Sequence, residues 1–273
     1  MSHTRRLVIA AALVATACGA PSIEVQPVDT SPTDGGAVQF DIREISAENR
    51  DCGEENGRCA RVRVVYPETT GGSTEAVREN IDLFIGHDLV SRMRGFVSED
   101  VGNGIGDTEG LAAAFLAQHR AFIAEFPESA AEWSIDIEAK IIFNTPEVTT
   151  IDIAEFAYTG GAHPNSRRRL VSFDVATGQH LGVEDLTTDI DTITAMVERQ
   201  LRIDRGLGAD ADLEAAGFWF PDEGFTLPDN LGITSDGVVF HWDAYEIAPY
   251  SMGPTDVIVP AGELAEFIDR KYW

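Results

Sequence analysis

Trp133–Gly160 reads "WSIDIEAKIIFNTPEVTTIDIAEFAYTG", and this stretch decides the class of fold. Apolar and polar residues alternate through "WSIDIEAKIIFN" and again through "VTTIDIAEFAYTG", the period-two pattern of strands with one buried face. Thr145-Pro146 between them marks a tight turn, so the two strands form a hairpin.

On its C-terminal side, "SRRRLVSFDV" continues as a third strand and turns at "ATGQ". "DIDTITAMVERQLRIDR" then has a helical period, capped by Asp189 or Asp191. Short strands are expected around Thr234, Phe240 and Val257, with a closing helix from Gly262.

On its N-terminal side, a helix capped by Asp107 or Thr108 carries the stripe Leu111, Phe115, His119, Phe122 and Phe126. His119 lies within that stripe and reads as a packing residue. An earlier helix starts at Ser73 or Thr74, with Val77, Ile81, Phe84, Leu89 and Met93 on one face. Before it, "VQFDIREISAE" and "CARVRVVYPE" alternate like the arms of a hairpin, and the step from Ile42 to Ile45 suggests a bulge near Glu44. Hairpins interleaved with helices, without a βαβ rhythm, predict an α+β fold.

The loop after the founding hairpin, Tyr158–Asn165 "YTGGAHPN", has the look of an active site. It lacks the glycine spacing of phosphate loops, and His87, His119, His163, His180 and His241 show no metal-ligand spacing. There is no GxSxG elbow. An acid–base pair of His163 with Asp152 or Glu155 is the one catalytic option. The simpler reading is a turn in which Gly160 and Gly161 take positive φ while His163 hydrogen-bonds backbone across the loop. No catalytic residue, metal or cofactor is assigned.

The N-terminus, "MSHTRRLVIAAALVATAC", has Arg5 and Arg6, a short apolar run and small residues before Cys18. That is an export signal over residues 1–17, too short to span a bilayer. The cysteine after Ala15-Thr16-Ala17 resembles a lipobox, which would make Cys18 the site of lipid attachment. Residues 18–37, rich in Pro, Gly, Ser, Thr and Asp, read as a tether. Cys52 and Cys59 remain, and in an exported chain they are expected to form a disulfide, stabilising by about 2–3 kcal/mol through loop closure.

With 46 acidic against 20 basic residues the formal charge is −26, which excludes nucleic acid as a partner and suits a basic protein.

The C-terminal segments "YTGGAHPNSRRRLVSFDVATGQHLGVEDL" and "FTLPDNLGITSDGVVFHWDAYEIAPYSMGPTDVIVP" resemble the domain of unknown function 3298. Its GGAH turn, FD-x-x-TG turn and Y-E-I-x-PY-x-x-G segment occur here in order. The resemblance implies an N-terminal companion, domain of unknown function 4163, giving regions 38–160 and 161–273. This family occurs as extracellular domains of lysozyme-sensing anti-sigma factors, as N-terminal parts of peptidoglycan deacetylases, and as free-standing envelope lipoproteins. The chain is most similar to the last. It is therefore expected to be a non-enzymatic envelope lipoprotein that binds a lysozyme-like muramidase or a peptidoglycan component. Tyr158, Gly160, Gly161, His163, Tyr245 and Tyr250 are the candidate contact residues. The alternative is a peptidoglycan hydrolase or deacetylase using His163.

Overall fold

The computed structural model describes residues 36–49, 52, 58–221 and 224–273. The export signal, Cys18 and nearly all of the expected tether lie outside the described residues.

Two sheets organise the fold. β1 (Gln39–Glu48), β2 (Ala60–Gly71), β3 (Trp133–Asn144), β4 (Val148–Tyr158) and β5 (Asn165–Asp174) form the first, in sequence order. All neighbours are antiparallel except β2 and β3, which run parallel. The crossover between those two strands carries α1 (Glu75–Arg94), the short α2 (Glu99–Gly102) and α3 (Thr108–Glu125). A parallel pair requires a long connection, and here the helices that supply it also cover one sheet face.

Local chemistry sets these boundaries. Thr74 and Asp107 cap α1 and α3 through their side-chain oxygens. Ile135 and Ile137 of β3 and Ile151 and Ile153 of β4 point at the helices and pack with Ile81, Leu89, Leu111 and Phe115. His119 belongs to this core at 1% exposure, with Nδ1 accepting from Asn49 Nδ2 at 3.0 Å and Nε2 donating to Ala131 O at 3.1 Å. Both ring nitrogens are satisfied, as a packed histidine requires.

β1 pairs with β2 without interruption from Phe40 to Glu48, so there is no bulge near Glu44; the irregularity falls between Gln39 and Phe40. Ile45 and Ala47 keep a period of two against the core, while Ile42 turns outward and is 55% exposed. The odd spacing therefore records one apolar residue on the solvent side of an edge strand. Cys52 and Cys59 are bonded at the foot of β2, with their Cα atoms 4.6 Å apart.

After β5 come α4 (Val183–Leu186) and α5 (Ile190–Asp204), the latter capped by Asp189. The second sheet is β6 (Leu231–Thr234), β7 (Gly237–Trp242) and β8 (Thr255–Pro260), antiparallel, followed by α6 (Ala261–Leu264). Ile193, Val197 and Leu201 of α5 pack with Val238, Phe240, Val257 and Val259 in a second core. The α+β class is as expected.

The sheets meet along β5. Asn230, just before β6, acts there as a substitute strand: its Nδ2 donates to Arg168 O at 2.7 Å and its Oδ1 accepts from Leu170 N at 2.8 Å. Ser172 Oγ accepts from Ile233 N at 2.9 Å, and Gly232 lies so close that a Cβ there would come within 2.8 Å of Leu170 Cβ. No helix among the described residues is long and apolar enough to cross a membrane.

Candidate functional site

The loop between β4 and β5 meets the loop between β7 and β8 at the open end of this junction. The His163 ring stacks on Tyr250, with centroids 4.3 Å apart and planes 24° apart, and Tyr245 lies 5.5 Å beyond. Three of the residues singled out from sequence are thus one aromatic surface, although more than eighty positions separate His163 from the tyrosines. Tyr245 is 58% exposed and Tyr250 41%. Tyr245 also has φ 74°, which among the described residues no other non-glycine shares. A side chain in that region costs on the order of 1–3 kcal/mol and persists only where its surroundings impose it. Here Tyr245 N donates to Ala248 O at 3.1 Å and Asp243 N to Glu246 Oε2 at 2.7 Å, which hold the tight turn.

Tyr158 stands apart, half-buried at the end of β4 opposite Ser134. Gly160 has φ 87°, as expected, but Gly161 does not share the left-handed conformation. A Cβ on Gly161 would meet nothing closer than His163 O at 3.8 Å, so the strain expected at both glycines sits at Gly160 alone. One left-handed residue suffices to turn the chain, and Gly161 then follows in ordinary backbone. His163 does bond to backbone, locally rather than across the loop: Nδ1 donates to Pro164 O at 3.0 Å.

The catalytic pairing of His163 with Asp152 or Glu155 is not assembled. Asp152 is gripped by Arg168 through Nε at 3.0 Å and Nη2 at 2.9 Å. Glu155 projects to the helix side of β4, where it is 4% exposed and accepts from Arg92 Nη1 at 3.3 Å.

These charges belong to a second feature that the sequence analysis missed. A cleft of about 450 Å³ runs along β5, lined on one side by Asp88, Ser91, Arg92 and Phe96 of α1 and its exit, and on the other by Asp229, Asn230 and Asp243. Glu155, Asn165 and Arg167–Arg169 complete it. Asp88 bridges Arg92 at 2.6 Å and Arg169 at 2.6 Å. Burial pushes the Glu155 carboxyl above its ordinary pKa, and Arg92 pulls it only part of the way back.

Behind the cleft, His241 is 2% exposed and sits between Asp256 (Nδ1, 2.6 Å) and Asp243 (Nε2, 3.0 Å). Burial alone would lower its pKa. Hydrogen bonds to Asp243 and Asp256, with their charges, overcome this and raise it to about 9. Both nitrogens therefore donate, and His241 is an imidazolium at neutral pH. Arg168 joins Asp256 at 2.8 Å, while its backbone N donates to Asp243 Oδ1 at 2.9 Å. The arginine run "RRR" was a clue to this site, but only the fold shows that the two sides of β5 send its members to different partners.

Residues 183–262 match the family described as protein of unknown function (DUF3298), and residues 54–166 match the one described as deacetylase PdaC. The resemblance read from the sequence is borne out. Among curated proteins, the chain is 19% identical over 142 residues to the peptidoglycan-N-acetylmuramic acid deacetylase PdaC of Bacillus subtilis, covering 50% of this chain and 30% of that protein. It is 30% identical over 120 residues to an esterase of Mycobacterium tuberculosis, covering 42% of this chain and 50% of that protein. The chain thus spans no more than half the length of these relatives. A solved DUF3298 family structure from Bacteroides fragilis superposes with a TM-score of 0.66 at 16% identity, over 85% of this chain and 93% of that one. Another from Pseudomonas aeruginosa gives 0.56 at 19% identity, over 86% and 96%. These neighbours share the fold, and one of the relatives is a peptidoglycan deacetylase.

Proposed function

We propose that this chain is a lipid-anchored, non-enzymatic module of the bacterial envelope that binds a peptidoglycan component through the His163–Tyr250–Tyr245 surface. The observation that carries the reading is the exposed aromatic stack, assembled from two loops and including the strained Tyr245. Tyrosines offer contact area at low entropic cost, and sugar or peptide faces stack on such rings. The commitment of Asp152 and Glu155 to arginines supports binding over acid–base chemistry by His163. The similarity to a peptidoglycan deacetylase suggests the ligand class, and the anchor would be Cys18. A second reading rests on the charge of −26: the acidic surface would steer a basic muramidase onto the same loops.

Tyr245→Gly tests the proposal because it separates binding from folding. Glycine takes positive φ without the Cβ penalty, so the variant should melt no lower than the parent. Losing one exposed aromatic contact should weaken co-sedimentation with purified peptidoglycan sacculi about tenfold. Retained sacculus binding by this variant and by Tyr250→Ala would remove the aromatic surface from the account. Binding to lysozyme that fades as salt is raised, without any binding to sacculi, would favour the muramidase.

A further inference from the structure

The cleft along β5 stands out against the rest of the molecule. Four of its thirteen lining residues are arginines, in a chain with 20 basic against 46 acidic residues. Most of these cations are already matched. Arg92 and Arg169 are held by Asp88, and Arg168 by Asp152 and Asp256. Arg167 is the exception: it is exposed and makes no ion pair among the described residues. It is the cross-strand partner of Glu155 and lies close enough to Glu155 and Glu246 to offset part of the rise that burial gives both carboxyls. A guanidinium that lines a cleft without a bonded carboxylate has its full fork of donors available.

The groups beside it define the rest of the ligand. Ser91 and Asn165 line the cleft with side chains that bond to nothing else among the described residues. Asp229 adds an acceptor that has no partner among the described residues and suits hydroxyls, and Phe96 an apolar face. The walls are fixed: Asn230 is tied to the backbone of β5 at two points, and Asp88 and Arg92 are locked together on α1. Little reorganisation would be needed to receive a ligand.

We propose that this cleft is a binding site for a small hydroxylated or amide-bearing carboxylate, such as an acidic amino sugar, with Arg167 gripping the carboxylate and Ser91, Asn165 and Asp229 meeting its polar substituents. The ligand class rests on the peptidoglycan reading above, whereas the site rests on the cleft itself.

Two sugars that differ by one lactyl ether, which carries the carboxylate, provide the probe. N-acetylmuramic acid and neutral N-acetylglucosamine are titrated into the full chain, following the amide resonances of Asn165–Arg169. The acid should shift them and bind about tenfold or more tighter than the neutral sugar, the worth of one charge-assisted bidentate contact. Arg167→Gln should abolish that preference with only a small change in melting, because Arg167 makes no hydrogen bond or ion pair among the described residues and acts on Glu155 and Glu246 only through its charge. Arg167→Lys, a point charge without the fork, should keep part of it. Equal binding of the two sugars, an unchanged preference in Arg167→Gln, or no response to the acid would each overturn the assignment. Tyr250→Ala separates the two proposals: it should leave the monosaccharide titration unchanged and weaken only binding to sacculi. If Tyr250→Ala lowers both equally, the cleft is not an independent site.

Discussion

Arg92→Ala is expected to be the most damaging single change at the site, lowering stability by about 3–5 kcal/mol. Arg92 is the partner of two buried carboxylates, Asp88 with its side chain 6% exposed and Glu155 at 2%. Asp88 keeps Arg169 at 2.6 Å, but Glu155 loses its direct ion-pair partner. Burial already raises the pKa of Glu155, so the orphaned carboxyl must take up a proton or open the junction to water. For a body of this size the loss corresponds to a melting temperature lower by about 10 °C. Arg92→Met combined with Glu155→Gln should recover most of it, because a buried ion pair contributes little net stability over a neutral, well-packed replacement. A parent-like melting curve for Arg92→Ala would show that the charge network does not hold α1 to β4.

The second large effect depends on pH. The folded pKa of His241, about 9, lies above its unfolded value of 6.5. The stability it contributes is therefore fully present below about pH 6.5 and is lost as pH rises through about 9. A shift of this size corresponds to about 3 kcal/mol at most, and about 2 kcal/mol is more realistic because Asp256 is half-exposed and screened. Asp256 is affected in the opposite direction. Burial alone would raise its pKa, but His241 and Arg168 hold it below the ordinary value, so the same contact is also lost in strong acid. Denaturant unfolding of the parent and of His241→Gln at pH 6.5 and pH 9.5 measures this. The gap between the two should narrow by about 2 kcal/mol at the higher pH. A gap that does not change with pH would mean His241 is neutral in the fold.

How far the sequence foretold this molecule depends on the range of the interaction. Period-two alternation and N-cap chemistry are local, so β3, β4, α1, α3 and α5 were legible with their caps at Thr74, Asp107 and Asp189. The parallel pairing of β2 with β3 was not, because register across a crossover of some sixty residues leaves no local mark. The same holds at the site. His163 attracted notice in its glycine loop and Tyr245 and Tyr250 through the family resemblance, yet their stacking depends on β5 meeting the second sheet through Asn230 and Ser172. Asp152 and Glu155 read only as acid–base partners of His163, but arginines distant in sequence bury or bind them. Asp88 reads as the polar side of α1 and is in fact buried, because Arg92 and Arg169 enclose it. His241 carried no motif at all.

The central claim is that the chain binds cell-wall material without converting it. One incubation tests it most directly: the full chain at stoichiometric concentration with purified sacculi, followed by sedimentation and mass analysis of the wall fragments in pellet and supernatant. The account predicts that the protein sediments with the wall and that the fragment masses are unchanged, with no acetyl groups lost and no glycan or peptide bonds cut. Deacetylated or cleaved fragments that appear with the parent and vanish with His163→Ala would contradict it and establish an enzyme.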